Sequence, residues 1–80
     1  MDIKVLGPGC AKCHQLEAAV NEAVKELGPD MNVEIISDIV KIMQYPILAT
    51  PGLVINGKVV SSGRALKKSE VIDLIKKHQG

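Results

Sequence analysis

The chain has 80 residues, 46% of them hydrophobic and 24% charged, with ten Lys and Arg against nine Asp and Glu for a net charge of +1. That length supports a single domain, 1–80, with a small core that must be aliphatic, since there is no Phe, no Trp and one aromatic residue, Tyr45. Balanced charge and scarce aromatics argue against nucleic-acid binding, and the hydrophobicity argues against disorder. No apolar run approaches the ~20 residues that cross a bilayer.

Ile3, Val5 and Leu6 form a short β-type run that Gly7-Pro8-Gly9 ends. After Cys10 the period becomes helical: Leu16, Ala19, Val20, Ala23, Val24 and Leu27 share one stripe, which Gly28-Pro29 terminates. Val33-Glu34-Ile35-Ile36 reads as a second strand. From Asp38, an N-cap, to about Gln44, the apolar Ile39, Val40, Ile42 and Met43 predict a short, heavily buried helix. Pro46 ends it by disfavouring helix at Tyr45. Leu53-Val54-Ile55, Asn56-Gly57 and Lys58-Val59-Val60 spell a β-hairpin with a type I′ turn, and Gly63 breaks its second strand. A last helix from about Lys67 to His78 should bury Val71, Leu74 and Ile75. The order β-α-β-α-β-β-α predicts an α/β fold: a four-stranded mixed sheet with three helices. Its first β-α-β unit is a right-handed parallel crossover, and the hairpin adds an antiparallel edge.

Both cysteines, Cys10 and Cys13, fall in one Cys-x-x-Cys pair. Two cysteines cannot frame a small secreted scaffold, and closing so short a loop stabilises a fold by at most roughly 2 kcal/mol. Their use is therefore chemical. Cys10 stands where a strand hands over to a helix, so unpaired backbone amides and the helix dipole favour a thiolate there. Lys12 adds positive charge, which makes it a candidate activating residue. Cys13 follows one turn later, close enough to close a ring. Gly7-Pro8-Gly9 leaves little bulk over the first sulfur. The expected pair is an accessible Cys10 that ionises easily and a more buried Cys13 that resists ionisation.

Gly9-Cys10-Ala11-Lys12-Cys13 after a strand, with Ala49-Thr50-Pro51-Gly52 leading into the hairpin, resembles the thioredoxin superfamily. More narrowly, the chain resembles the small prokaryotic thioredoxin-like redox-active disulfide proteins, nearly end to end from Asp2 to His78. The resemblance implies a protein-disulfide oxidoreductase in which Cys10 attacks a substrate disulfide and Cys13 resolves the mixed disulfide. It implies that Pro51 is cis and faces the site, that Thr50 presents its backbone to an extended substrate, and that the bare backbone of Gly63 lets a partner approach. The chain departs from thioredoxins in having Gly9 in place of Trp, Ala11-Lys12 in place of Gly-Pro, and Lys4 where an ungapped count meets their buried acid. Ser61-Ser62-Gly63-Arg64 lacks the glycine pair and acid with which glutaredoxins grip glutathione, so protein disulfides are the expected substrates.

The rival reading is a copper- or zinc-binding carrier using the same two sulfurs, since thiolates suit soft metals. Such a domain would run from its second strand directly into a third, whereas Asp38 to Gln44 reads as helix. Structural zinc needs four ligands, and only His14 and His78 remain to complete them. Cys10-Ala11-Lys12-Cys13-His14 also spells the c-type haem attachment pattern, but the N-terminus carries charge inside its apolar stretch and no export signal. The expectation is a cytoplasmic monomer with no metal, no bound cofactor, and no nucleic-acid or membrane partner. Electrons would reach it from a reductase or thiol donor that the sequence does not name.

Overall fold

The computed structural model describes residues 2–28 and 31–78; Pro29, read above as part of the helix stop, lies outside them. The elements are β1 (Asp2–Leu6), α1 (Ala11–Leu27), β2 (Asn32–Ile36), α2 (Ile39–Ile42), β3 (Gly52–Ile55), β4 (Lys58–Ser62) and α3 (Lys68–Lys77). The four strands form one mixed sheet in the order β2-β1-β3-β4. β1 pairs in parallel with β2, Val5 opposite Ile35, and antiparallel with β3, Leu6 opposite Gly52.

Alternation along the strands divides the core into two layers. Ile3, Val5, Leu53 and Ile55 point to one face, where they meet Leu16, Ala19, Val20 and Ala23 of α1, Val71 and Ile75 of α3, and Leu66. The helical stripe read from the sequence is thus the buried one. Leu74 lies partly buried at the rim of that layer. Leu6, Ile36 and Val54 point to the other face and pack on Ile42, with Tyr45, Ile47 and Val59 partly buried around them. Two long helices cover the first face, and on the second α2 is the only helix among the described residues.

α2 corrects the expectation of a heavily buried helix. Only Ile42 is buried, at 4% exposure, whereas Ile39, Val40 and Met43 are 51%, 67% and 76% exposed. The helix is four residues long, and one turn can aim only about one side chain in 3.6 at the sheet. Asp38 does cap it, its carboxylate accepting from the Val40 N–H at 2.9 Å.

The hairpin turn has positive φ at Asn56 (50°) and Gly57 (82°), the type I′ geometry that Asn-Gly predicts. Val54 opposes Val59 while Leu53 opposes Ser61, so Val60 is the extra residue of a bulge. Glu26 of α1 and Lys68 of α3 form an ion pair at 2.6 Å. The Lys68 hydrogen bond and charge hold the Glu26 carboxyl below its ordinary range. Any stability it adds is present above that range and lost as pH falls through the lowered value, and at the surface such pairs contribute little.

At the start of α3, the Glu70 carboxylate accepts from the Lys67 N–H at 3.1 Å. Lys67 is the N-cap but has no acceptor atom to return the bond to the helix's own free amides. Lys67→Ser should complete the reciprocal pair and stabilise the fold by about 1 kcal/mol. A urea midpoint that stays the same or falls would refute this.

Candidate active site

β1 delivers the chain to the site. The Gly7 N–H donates to the Ile36 carbonyl at 2.9 Å, which carries the β1–β2 pairing one residue past the strand. The chain then turns through Pro8 and Gly9, whose φ of +103° is glycine territory, and enters α1. Cys10 is the N-cap of that helix, in extended conformation, and its Sγ accepts from the Cys13 N–H at 3.2 Å. The first sulfur thus takes the place that a Ser or Asp oxygen takes at an ordinary cap. No acidic residue lies in the first turn of α1, so nothing there offsets the positive end of the helix. Lys12 is exposed in that same turn.

Cys10 and Cys13 are joined as a disulfide with their Cα atoms 5.0 Å apart. Cys10 is exposed, and Cys13 is 1% exposed. The glycine run also has a task the sequence expectation did not include. Beyond its chain neighbours a Cβ on Gly9 would meet nothing within 4 Å, whereas a Cβ on Gly7 would lie 2.5 Å from Cys13 Sγ and 2.9 Å from Cys13 Cβ. Bare backbone is therefore required under the second sulfur. The same position on Gly7 is 3.8 Å from the Pro51 side chain, so Gly7 separates the proline from the buried cysteine.

The Thr50–Pro51 bond is cis. Pro51 is buried, and its carbonyl accepts from the Gly63 N–H at 2.8 Å. Gly63 has φ +77°, and a Cβ there would come within 3.1 Å of Ala49 Cβ. Gly63 therefore closes the proline loop from the β4 side. Thr50 is half-buried, and neither its N–H nor its C=O enters a backbone hydrogen bond among the described residues. The structure thus joins Cys10 to Cys13 and Pro51 to Gly63, with Gly7 between the two pairs and Thr50 next to Pro51 in the chain. The sequence reading missed the contacts of Gly7 and Ala49; the glycine run signalled only a turn.

His14 is not drawn to the sulfurs. Its Nδ1 faces Glu17 Oε2 at 3.1 Å on the exposed side of α1. Among the described residues no group of three or more His, Cys, Asp or Glu side chains could hold a metal ion. No helix among them is long and apolar enough to cross a membrane.

What this setting equips two sulfurs to do is exchange. One is open and sits at the positive end of a helix, the other is shielded and bonded to it, and Gly7 sets the buried one against the Pro51 loop. That is the equipment of a thiol–disulfide oxidoreductase. The chain belongs to the thioredoxin domain family, whose sequence model matches residues 1–76. It is 41% identical over 71 residues to a thioredoxin of Methanothermobacter thermautotrophicus, covering 89% of this chain and 92% of that protein. It is 30% identical over 76 residues to a thioredoxin of Methanocaldococcus jannaschii, covering 95% of this chain and 87% of that one.

Proposed function

We propose that the protein is a monomeric cytoplasmic reductant of protein disulfides, with Cys10 as nucleophile and Cys13 as resolving thiol. In the reduced protein the Cys10 thiolate attacks one sulfur of a partner disulfide, and the partner's other sulfur leaves and takes a proton. Cys13 then gives up its proton and attacks Cys10 Sγ, releasing the partner's second thiol and leaving the Cys10–Cys13 disulfide. Two electrons and two protons pass to the partner. A reductase or thiol pool restores the dithiol, and no bound cofactor takes part. Lys12 and the amides of the first turn stabilise the attacking thiolate, and Thr50 offers its N–H and C=O to an extended substrate strand.

The observation that carries this reading is the Cys10 sulfur seated as the α1 cap, on the Cys13 amide. A thiolate is a stronger acceptor than a thiol, so the cap favours ionisation. Alkylation of Cys10 in the reduced protein should therefore persist well below the free-thiol pKa of ~8.5. An ordinary thiol titration at Cys10 would remove the capping argument. Redox equilibration in defined thiol buffers should give one two-electron transition near the ~−270 mV of thioredoxin. The carrier reading is disfavoured by α2, which interrupts the direct run from β2 to β3. Stoichiometric metal on protein purified under reducing conditions would revive it.

A further inference from the structure

β4 ends at Ser62 and α3 begins at Lys68, and residues 63–67 between them bear on the exchange site through their first member. The Gly63 N–H holds the Pro51 carbonyl at 2.8 Å, and its backbone lies so near Ala49 that a Cβ would come within 3.1 Å of the alanine methyl. The next three N–H groups, of Arg64, Ala65 and Leu66, enter no backbone hydrogen bond among the described residues. A connection with so few main-chain bonds shifts readily unless side chains fix it.

Two side chains do so. Leu66 is 5% exposed and sits in the core layer under α1 and α3. Glu70, in the first turn of α3, divides its carboxylate between two partners. Oε1 accepts from the Lys67 N–H and Oε2 from the Arg64 guanidinium, each at 3.1 Å. The first bond caps the helix; the second reaches back along the connection to the residue that adjoins Gly63. Capping needs only one oxygen, so the bond to Arg64 is a separate restraint. Both side chains are exposed, which leaves the pair little weight in the stability of the whole fold. Its effect is local: it fixes where the connection stands, and Gly63 with it.

We propose that Glu70 is a positioning residue of the exchange reaction. Through Arg64 it keeps the Gly63 N–H on the Pro51 carbonyl, and so holds the cis-proline loop where Thr50 takes an extended substrate. It acts through the loop and not on the sulfurs, so a small disulfide that needs no loop gains nothing from it. This rests on the thiol-exchange reading above and on the part that reading gives Thr50.

The test separates the two oxygens. In Glu70→Gln the amide oxygen still caps at Lys67, but the amide nitrogen is a donor and cannot accept from Arg64. Arg64→Met removes the guanidinium from the other side and keeps an apolar stem. The reduced full-length protein is given bis(hydroxyethyl) disulfide, and an uncharged synthetic peptide whose cysteine is a mixed disulfide with mercaptoethanol. Each variant should react with the peptide about three- to fivefold more slowly, the range an exposed ion pair can supply, and with bis(hydroxyethyl) disulfide at the unaltered rate. The double variant should lose no more than either single one, because both remove the same bond. Solvent exchange of the Gly63 amide, followed by NMR, should quicken by the same factor while the amides of α1 keep their rates. Salt screens exposed charges, so it should slow the peptide reaction of the unaltered protein and leave that of Glu70→Gln alone.

Equal slowing with both substrates, additive losses in the double variant, or an unmoved peptide rate would each overturn the proposal while leaving the exchange chemistry standing. A slower peptide reaction with Gly63 exchange untouched would also overturn it, since the pair would then act on the substrate directly. If the unaltered protein reduces neither substrate, this proposal and the exchange reading fall together. Circular dichroism verifies the fold, and Arg64→Met carries the test by itself if Glu70→Gln does not fold.

Discussion

Cys13→Ser should turn the protein from a catalyst into a trap. Cys10 is exposed and keeps its place at the head of α1, so the first attack can still occur. The bond that should release the partner is the one that can no longer form. Well-oriented intramolecular groups act at effective concentrations of ~10⁵ M or more, far above any external thiol. Turnover should drop by at least about a hundredfold, and covalent complexes with client proteins should accumulate. They should appear on non-reducing gels, dissolve on reduction, and map to Cys10 by mass spectrometry; adding Cys10→Ser should remove them. A Cys13→Ser protein that captures nothing would count heavily against exchange through Cys10.

The other large effect should come from Gly7→Val. Its φ lies outside the region reserved for glycine, so backbone strain is not the issue. The obstacle is Cys13, whose Sγ lies 2.5 Å from where the new Cβ would be built, before the two methyl groups are counted. Forcing bulk into a packed site costs typically 1–3 kcal/mol, and a branched side chain against a covalently held sulfur should sit at about 3 kcal/mol. Part of that cost can be relieved if Cys13 moves away from Cys10, so the dithiol should be favoured over the disulfide. Urea unfolding of both redox forms gives the size of the effect, and equilibration in thiol buffers gives its direction. Gly9→Ala is the informative comparison: it strains a backbone at φ +103° but, beyond its chain neighbours, meets no atom within 4 Å. It should cost stability without moving the redox equilibrium. If Gly7→Val leaves that equilibrium where it was, the contact with Cys13 has no bearing on the chemistry.

Much of this molecule is written locally. The stripe from Leu16 to Leu27 identifies α1, Asn56-Gly57 identifies the hairpin, and the strand-to-helix position of Cys10 places the first sulfur at the head of α1. α2 was misread because four apolar residues within five positions carry no period from which a buried face can be told from an exposed one. Ile39, Val40 and Met43 have the composition of a core and lie in solvent. The partner of Gly7 was illegible for a different reason. Which sulfur it faces depends on the β1–β2 pairing that the Gly7–Ile36 bond extends, and no local pattern encodes that. Cis-Pro51 is a third kind of case. X-Pro bonds in folded proteins are cis only ~5–6% of the time, so Thr50-Pro51 by itself foretells nothing, and the expectation came from the family resemblance.

The strand order β2-β1-β3-β4 makes β1, which precedes the other three strands in the chain, an interior one. β1 cannot be flanked on both sides until Gly52–Ile55 has emerged from the ribosome, and the loop at Pro51 is not closed until Gly63 follows. Cys10 and Cys13, by contrast, precede both segments and emerge before them. In that interval the nascent chain carries both thiols without the proline loop or the β4 glycine beside them. Non-local pairing of this kind is slow relative to helix formation. Completion of the site is thereby made conditional on a completed fold, because the sulfurs and the proline loop beside them come from opposite halves of the given sequence.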